Sequence, residues 1–456
     1  MAKKNNDYKI WVSYHKEEQV KEYGLKEDAT HRLFPTHKEA DGANINHMNP
    51  VYSEMVTMWY VWKHKLKSPC VGFEHYRRHF DTIRPPKDGE CQVRLITDFA
   101  QETVYQQYAR CHNGKDMDIV LSLLNEKYGE ENGYSNHILR DHWLISNCCF
   151  IMRWEDFVKM CNFMFPLLEE FAKRCNLSAQ CIDGWREKAI KDFNGERTEY
   201  QTRVLSFLAE RLISAWICVN LYPYIDGYNV AIVHYNTPNL IEKAILSLRK
   251  NSPGCHVYVL DNSDKKPFKK KMNDVEVFDN TKGQLIDFKE WIKGFPDREP
   301  TKNDYGSAKH SYSIQWLIDH IGRPFVLMDS DTLVRGCFYN LYDKNIAYAA
   351  YIADDTYYQG FPILRALPVL CYLNVPLLKA NNIRYFNPEW MWNLSSQAPQ
   401  NHYDTGAWLY DEVNTKRLPY RKIDINSYVK HMWHGSWVDD PDKEERWLKE
   451  NEALWK

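Results

Sequence analysis

Apolar and polar positions recur along the chain at spacings typical of strands and helices, and this pattern breaks near residue 226. In the first half, short apolar runs alternate with amphipathic helical segments. The predicted elements there are a strand at Tyr8–Tyr14, apolar runs at Cys70–Phe73 and Trp143–Met152, and helices at about Pro50–Lys65 and Glu199–Asn220. Residues 221–227, which contain a proline and a glycine, interrupt the pattern and predict a domain boundary.

The second half begins with a strand, a helix and another strand. Val230–Val233 is the first apolar run, a helical segment follows from about Asn239 to Lys250, and His256–Leu260 is the second strand. This order predicts a parallel, right-handed crossover unit. A third apolar strand, Pro324–Met328, comes later. We therefore predict an α/β fold with domains at residues 1–226 and 227–456.

Composition and charge narrow the classes of function. The chain has 456 residues, enough for two or three domains of about 150 residues each. Its net charge of −2 gives no basic field of the kind that nucleic-acid binders use. Aromatic residues make up 14% of the chain, and such rings suit both core packing and stacking on sugars or bases. Because the net charge is close to zero, we expect no nucleic-acid partner.

The cysteines and the N-terminal segment bear on the compartment. Twelve cysteines are scattered without a Cys-x-x-Cys pair, which predicts free thiols in a reducing cytoplasm. The polar opening, Met1–Asn6, does not have the form of a signal peptide. The apolar runs are far shorter than the roughly 20 residues that cross a bilayer. These features predict a cytoplasmic protein.

Polar residues follow the first two strands of the second half. They are His234, Tyr235 and Asn236 after the first strand, and Asp261 and Asn262 after the second. In an open parallel sheet, ligands bind beyond the carboxyl ends of the strands. An aspartate at such an end can accept hydrogen bonds from a uracil or a ribose, although residues of this type also cap turns. The pattern indicates a nucleotide site.

The third strand runs directly into Asp329-Ser330-Asp331. Two carboxylates around a small residue form a compact anionic site for Mg²⁺ or Mn²⁺, which prefer oxygen ligands and are completed by phosphates of a substrate. The alternative is a loop with two solvated aspartates. Later in the chain, Asp404 is a candidate catalytic base, and His431 or His434 could supply a nitrogen ligand to the ion.

The first half has no Asp-x-Asp in the corresponding place. Its Cys70–Phe73 run leads instead into Glu74, His75, Tyr76, Arg77 and Arg78. Adjacent arginines at a strand end could hold a diphosphate by bidentate hydrogen bonds and replace the charge of a metal ion. Glu74 or His75 could transfer a proton. The alternative is an arginine pair tied into structural salt bridges.

Residues 228 to about 437 resemble the GT-A glycosyltransferases, particularly the family 2-like group. The matching segments are Val230–Asn236, Leu260–Ser263, Asn280–Gly283 and Asp329–Asp331. The resemblance implies that Asp261 contacts the base or ribose, and that Lys282 and Gly283 lie in the nucleotide site. It also implies a diphosphate-metal role for Asp329 and Asp331, and a late metal-binding histidine at His434 or His431. Asp404 falls in the region of the usual catalytic base, but Asp-Thr-Gly replaces the usual acidic pair.

Most of residues 8 to 220 resembles a family first catalogued as a domain of unknown function in capsule and O-antigen loci, now linked to glycosyltransferase family 111. The matching residues include Asp41-Gly42, Asn49–Glu54, Trp59–Trp62, Gly72, His75–Arg78, Asn147–Met152 and Arg203–Leu212. The resemblance implies a GT-A-type galactosyl- or galactofuranosyltransferase. His79 stands where an aromatic residue usually follows the arginines. Asp41 and Glu54 are candidate site residues on this pattern.

Together these features predict two tandem GT-A-like domains, hence a bifunctional glycosyltransferase. The expected donors are UDP-sugars, with Mn²⁺ or Mg²⁺ in the C-terminal domain and no metal requirement in the N-terminal one. The expected acceptor is a lipid-linked or oligosaccharide glycan of a capsule or O-antigen, reached at the inner face of the cytoplasmic membrane.

Two other interpretations stay open at the level of sequence. In one, only the C-terminal domain is catalytic and the first half is a glycan-binding or docking module. In the other, the protein is a sugar nucleotidyltransferase, whose aspartate pairs also hold Mg²⁺, although an early glycine-rich phosphate loop is missing. The donor sugars, the linkage, the stereochemistry and the oligomeric state do not follow from the sequence.

Overall fold

The computed structural model describes residues 8–99, 101–193, 198–272, 274–288, 302–358, 361–387, 404–433 and 441–456. The chain divides into two compact units, Met1–Asp226 (unit 1) and Gly227–Lys456 (unit 2). Each unit has its own mixed sheet with helices around it.

Unit 1 contains eight strands and ten helices within its described residues. The strands are β1 (Tyr8–Tyr14), β2 (His31–Pro35), β3 (Cys70–His75), β4 (Glu90–Val93), β5 (Ile96–Asp98), β6 (Trp143–Ile145), β7 (Phe150–Arg153) and β8 (Tyr222–Tyr224). The helices are α1 (Glu17–Glu22), α2 (Asn49–Tyr52), α3 (Met55–Lys63), α4 (Val104–Cys111), α5 (Gly114–Tyr128), α6 (Gly133–Arg140), α7 (Trp154–Arg174), α8 (Ile182–Phe193), α9 (Thr198–Gln201) and α10 (Val204–Asn220).

The main sheet of unit 1 has the order β2-β1-β3-β7-β4-β8. Strands β1, β2 and β3 run parallel, and Ser13 lies opposite His75, so these three strands end at one edge of the sheet. Strand β7 is antiparallel to β3. At Gly72 in β3, an added Cβ would come within 2.8 Å of the Ile151 side chain, so glycine permits the close packing of β3 on β7.

Two predicted elements of unit 1 are interrupted. The helix expected at Pro50–Lys65 breaks between α2 and α3, where Ser53 has φ 51°. The apolar run Trp143–Met152 forms two strands, β6 and β7, because Asn147 and Cys148 take left-handed conformations with φ 70° and 52°. Such conformations are unfavourable outside glycine, and periodicity of apolar residues does not reveal them.

Unit 2 contains nine strands and five helices within its described residues. The strands are β9 (Asn229–His234), β10 (His256–Asp261), β11 (Val275–Asp279), β12 (Phe325–Asp329), β13 (Thr332–Val334), β14 (Tyr348–Tyr358), β15 (Phe361–Leu373), β16 (Arg421–Lys422) and β17 (Val429–His431). The helices are α11 (Pro238–Asn251), α12 (Lys302–Ile321), α13 (Val375–Ala380), α14 (Ala407–Thr415) and α15 (Pro441–Glu450).

The main sheet of unit 2 has the order β11-β10-β9-β12-β15-β14-β16. Strands β9, β10, β11 and β12 run parallel, and β15 is antiparallel to β12. Asp261 lies opposite His234, and Asp329 lies opposite Val233, so the carboxyl ends of β9, β10 and β12 meet. The predicted α/β class, with two tandem units and mainly parallel pairing, is confirmed.

The cysteines and the hydropathy of the helices bear on the predicted compartment. All twelve cysteines fall within the described residues, and none of them forms a disulfide there. Among the described helices, none has both the length and the hydropathy needed to span a bilayer.

Candidate active sites

The carboxyl end of β12 carries a cluster of two aspartates and a histidine. Strand β17 pairs with β13 so that His431 lies opposite Thr332, next to Asp331. The His431 Nε2 atom is 2.9 Å from an oxygen of Asp331 and 3.8 Å from an oxygen of Asp329. One potential ligand atom from each of the three residues lies within 4.8 Å of the other two. The structure thus brings together three of the four residues predicted to bind a metal, while the fourth, His434, lies outside the described residues.

The charges in this cluster are largely removed from water. Burial raises the pKa of Asp329, and the charges of His310 and His431 act in the opposite direction without cancelling that effect. Burial lowers the pKa of His431, but the hydrogen bond and the charge of Asp331 outweigh it, and the net pKa is raised. Two neighbouring carboxylates with one imidazole form a donor set that suits Mn²⁺ or Mg²⁺. The residues therefore fit a divalent cation.

Two residues that sequence reasoning missed lie beside the cluster. The Nε2 atom of His310, on α12, is 3.6 Å from an oxygen of Asp329. Arg365, on β15, donates hydrogen bonds of 2.7 and 2.6 Å to Asp355 and lies 3.2 Å from an oxygen of Asp404. Neither residue belongs to a motif or directly follows a strand of the parallel sheet, so no local signal distinguishes them from packing residues.

Asp404 is held by groups of the protein. Besides the ion pair with Arg365, one of its oxygens accepts a 2.7 Å hydrogen bond from the backbone N–H of Thr405. Gly406 follows with φ 87°, and its carbonyl accepts a hydrogen bond from the Ala366 N–H. The Asp404-Thr405-Gly406 turn is thereby fixed against β15. The role of Asp404 as a base stays a prediction.

Replacing Gly406 by alanine is expected to destabilise unit 2 by at least about 2–3 kcal/mol. A Cβ at this position would lie 1.9 Å from the Ala366 carbonyl oxygen, and the backbone already has φ 87°. Gly322→Ala is the matched control, because Gly322 also has positive φ, 65°, but has nothing within 4 Å of its added Cβ. Chemical denaturation should show a larger loss for the first variant, and equal losses would contradict a close approach at Gly406.

His234 and Asp261 form a buried pair. The Nδ1 atom of His234 is 3.0 Å from Asp261, and its Nε2 atom accepts a hydrogen bond from the Thr237 N–H. The other oxygen of Asp261 accepts from the Phe268 N–H. Burial raises the pKa of Asp261, but its hydrogen bonds from His234 and Ser263 give a net lowering. These two side chains therefore tie together the loops after β9 and β10, and direct nucleotide contact by either one stays a prediction.

The loop residues around this pair differ in their accessibility. Asn236 has φ 57°, donates to Asp264, and accepts from the N–H groups of Lys265 and Lys266. Tyr235 is 41% exposed, and its hydroxyl donates to Asp264.

A second group of polar residues links β10 to the segment after β11. Asn262 donates to Ser313 and accepts a 2.8 Å hydrogen bond from Asn280. Asn280 in turn accepts the N–H of Gly283 on its backbone carbonyl, and Lys282 beside it is exposed. The predicted nucleotide residues thus lie on three connected segments, after β9, β10 and β11, at the carboxyl edge of the sheet.

Unit 1 has a different set of groups at the corresponding edge. Three polar residues lie there: Thr36 directly follows β2, His15 directly follows β1, and His75 is the last residue of β3. The Thr36 hydroxyl oxygen is 2.7 Å from His15 Nδ1, and His15 Nε2 is 3.3 Å from His75 Nε2. The three side chains form a continuous row, which we call the Thr36–His15–His75 row. Of its members, only His75 was predicted from the sequence.

Glu74, which directly precedes the His75–Arg78 segment, is held by hydrogen bonds within the protein. Glu74 is 3% exposed, accepts a 2.7 Å hydrogen bond from His79, and accepts another from the Phe80 N–H. It therefore fixes the turn after β3, and a role in proton transfer stays a prediction. His79, which departs from the family pattern, is the partner that completes this turn.

Arg77 and Arg78 form no ion pair with any described acidic residue. Arg77 is exposed beside the Tyr76 ring, and the backbone of Arg78 pairs with that of His75. Within the described residues, the structural salt bridges that would explain the pair are missing. Two adjacent cations without acidic partners are free to hold an anion.

The two remaining predicted residues of unit 1 lie in different places. Glu54 is half-buried at the start of α3, and its charge adds to burial in raising the pKa of the Cys149 thiol. Asp41 is exposed, and its backbone carbonyl accepts a hydrogen bond from Tyr60. No described contact joins the Asp41 carboxylate to the Thr36–His15–His75 row.

The stability of unit 1 is expected to fall as the pH drops from about 6.5 towards 4. Burial lowers the pKa of His15 from 6.5 to about 4 and that of His75 to about 3. Because the unfolded chain binds these protons first, each imidazole makes unfolding easier by up to about 1.4 kcal/mol per pH unit in this range. Urea denaturation at several pH values measures this slope. His15→Gln should reduce it, whereas the exposed control His47→Gln should not; equal slopes would contradict the buried, neutral state.

The geometry shows an α/β protein with a carboxylate–imidazole cluster in unit 2 and a cluster of arginines and histidines in unit 1, both of them candidate sites. Residues 9–220, nearly all of unit 1, match the family model described as "Domain of unknown function (DUF4422)". No curated protein matches the chain.

Three solved structures of glycosyltransferases are similar to this chain. The bifunctional glycosyltransferase WbbM, in its apo form, has 14% identity over 92% of this chain and 87% of its own, with a TM-score of 0.38. Galactosyltransferase LgtC, in complex with donor and acceptor sugar analogs, has 13% identity over 48% of this chain and 82% of its own, with a TM-score of 0.28. GlyE of Streptococcus pneumoniae TIGR4 has 13% identity over 43% of this chain and 45% of its own, with a TM-score of 0.26.

Proposed function

We propose that this protein is a glycosyltransferase and that unit 2 transfers a sugar from a nucleotide-sugar donor with the help of a divalent cation. The observation that carries this proposal is the cluster of Asp329, Asp331 and His431 at the carboxyl end of a buried parallel strand. A cation held there supplies positive charge to the departing diphosphate. All other steps below depend on side chains of the chain itself.

The chain's own residues bind and orient the donor in this proposal. Tyr235 stacks on the base, while the His234–Asp261 pair keeps the loops after β9 and β10 in register. Lys282 contributes positive charge from the segment that follows β11. Asp404 accepts the proton of the acceptor hydroxyl, with Arg365 holding its carboxylate in place.

We further propose that unit 1 carries a second transfer site, which makes the protein bifunctional. Arg77 and Arg78 would hold the donor diphosphate by charge-assisted hydrogen bonds, so that no metal ion is needed. The absence of acidic partners for these arginines within the described residues favours this function over a purely structural pair. Two sites on one chain raise the local concentration of the intermediate glycan at the second site.

The finer assignments rest on the family resemblances of the sequence. We propose UDP-sugar donors carrying galactose or galactofuranose, and an acceptor that is a lipid-linked or oligosaccharide glycan of a capsule or O-antigen. The cation would be Mn²⁺ or Mg²⁺. With a lipid-linked acceptor, the protein would work in the cytoplasm, peripherally associated with the inner face of the membrane.

A donor screen tests the proposed function directly. The purified full chain is incubated with a panel of UDP-sugars, including UDP-galactose and UDP-galactofuranose, in the presence of Mn²⁺, Mg²⁺ or EDTA. Release of UDP that EDTA suppresses in part, with the remainder independent of metal, is the expected result. Release of pyrophosphate from a nucleoside triphosphate and a sugar phosphate would instead identify a nucleotidyltransferase.

A further inference from the structure

The Thr36–His15–His75 row has a defined arrangement of hydrogen bonds. The Thr36 hydroxyl donates to the Tyr14 carbonyl at 3.0 Å, so its oxygen is free to accept from His15 Nδ1–H. In the tautomer that donates to Thr36, a neutral His15 has a bare Nε2, which accepts from His75 Nε2–H across the 3.3 Å contact. This leaves His75 with a bare Nδ1 atom. The row therefore fixes which nitrogen of His75 can accept a proton.

That nitrogen has no partner. His75 is 6% exposed, and its Nδ1 atom is buried without a hydrogen bond. Leaving a buried polar atom unsatisfied costs about 1–3 kcal/mol. Such an atom gains a partner when a small shift of the neighbouring turn lets a bound molecule bring a donor to it. A ligand hydroxyl is a suitable donor.

Burial is the main cause of the lowered pKa of both imidazoles, and the surrounding positive charges lower it further and make the site attractive to anions. The charges that act on His15 are those of Arg203 just before α10, His37 after β2, and Arg77, while a hydrogen bond with the Asn49 side chain raises its pKa. Those that act on His75 are His15, Arg78, Arg77 and His79. Among the described acids near this set, Glu74 is engaged by His79, and Glu17 lies 3.4 Å from His37. An anionic diphosphate bound among these cations would offset their charge, so that His75 could take up a proton while the donor is in place.

We propose that His75 is the proton acceptor of sugar transfer in unit 1, and that His15 and Thr36 are positioning residues that leave its Nδ1 atom unprotonated. The acceptor hydroxyl loses its proton to His75 Nδ1 while its oxygen forms the bond to the anomeric carbon. The bond from that carbon to the diphosphate breaks, and its electron pair leaves with the nucleoside diphosphate towards Arg77 and Arg78. His75 then passes its Nε2 proton to His15 Nε2, which spreads the positive charge over two rings.

This inference rests on the proposed function of unit 1, and kinetics of the full chain test it in a D331N background. There, the transfer of unit 2 is removed and the remaining transfer belongs to unit 1. His75→Gln is expected to lower kcat by about 10²-fold. The near-isosteric Thr36→Val should lower kcat about fivefold at unchanged KM, and Thr36→Ser, which keeps the hydroxyl, should restore it. Unchanged kcat in His75→Gln, or equal losses in both Thr36 variants, would overturn the proposal.

Nitrogen NMR of the imidazoles separates this inference from the proposed function. At pH 7 we expect His75 to be protonated at Nε2 and bare at Nδ1, with Thr36→Val changing the tautomer balance of His15. The opposite tautomer of His75 would overturn the inference even if unit 1 transfers sugar. If unit 1 transfers no sugar, the proposed function fails, and the expected tautomers would still support the row as the source of a bare nitrogen.

Discussion

Replacing Asp331 by asparagine is expected to lower the metal-dependent transfer of unit 2 by about 10³-fold. The side chain of Asp331 is 7% exposed and lies 2.9 Å from His431, so its charge acts in a largely dry environment. An amide has almost the same shape but cannot supply the negative charge that holds a cation. Affinity for Mn²⁺, measured by calorimetry on the full chain, should fall together with the rate.

The matched control for this variant is Asp319→Asn. Asp319 lies on α12, is about half exposed, and is 4.0 Å from Lys379. It does not belong to the Asp329–Asp331–His431 cluster. It should retain both transfer and Mn²⁺ affinity. If Asp331→Asn kept its rate, or if EDTA left the wild-type rate of unit 2 unchanged, the metal-assisted mechanism would be wrong.

Replacing Arg77 and Arg78 together by glutamine is expected to abolish the transfer of unit 1, with a loss of at least about 10²–10³-fold. Two guanidinium groups without acidic partners among the described residues would lose the charge that stabilises a departing diphosphate. Unit 2 of the same molecule serves as an internal reference, because its transfer should continue unchanged. Product analysis with two radiolabelled donors measures both activities at once.

Arg140→Gln provides the control for charge alone. Arg140 is also exposed in unit 1, but its guanidinium lies 3.9 Å from Glu131 on another part of the unit. This variant should behave as the wild type. If the double variant only weakened acceptor binding and no distinct sugar transfer were lost, unit 1 would be a glycan-binding module rather than an enzyme.

The sequence predicts the part of the candidate site that lies at the end of one strand, β12, and directly after it. Asp329 and Asp331 were predicted because an apolar run emerges directly into them, and the sheet places them at its carboxyl edge. His431 was predicted only as one of two late histidines. Its contact with Asp331 spans 100 residues of sequence and depends on the pairing of β17 with β13.

Other site residues lie beyond local reasoning. His15 follows β1 as a lone histidine, and its importance arises from β2 and β3 ending on either side of it. Arg365 lies in β15, and the apolar pattern of that strand predicts only that it is buried in the sheet. The sequence predicts that His234 and Asp261 lie at strand ends, but it does not reveal the hydrogen bond between these two buried side chains. Sequence patterns identify which groups reach an edge of a sheet, whereas side-chain pairing across that edge requires the assembled fold.

The pairing of Thr332 with His431 also bears on how this protein can be shortened. A fragment ending before Val429 would keep both aspartates but lose the imidazole and the strand that shields β13. The residues after it contribute as well, since Leu448 packs with Leu240 and Leu333, and Trp447 and Trp455 cover them. Trimming the chain before Val429 for crystallisation or fusion would therefore remove a candidate metal ligand and expose this apolar cluster.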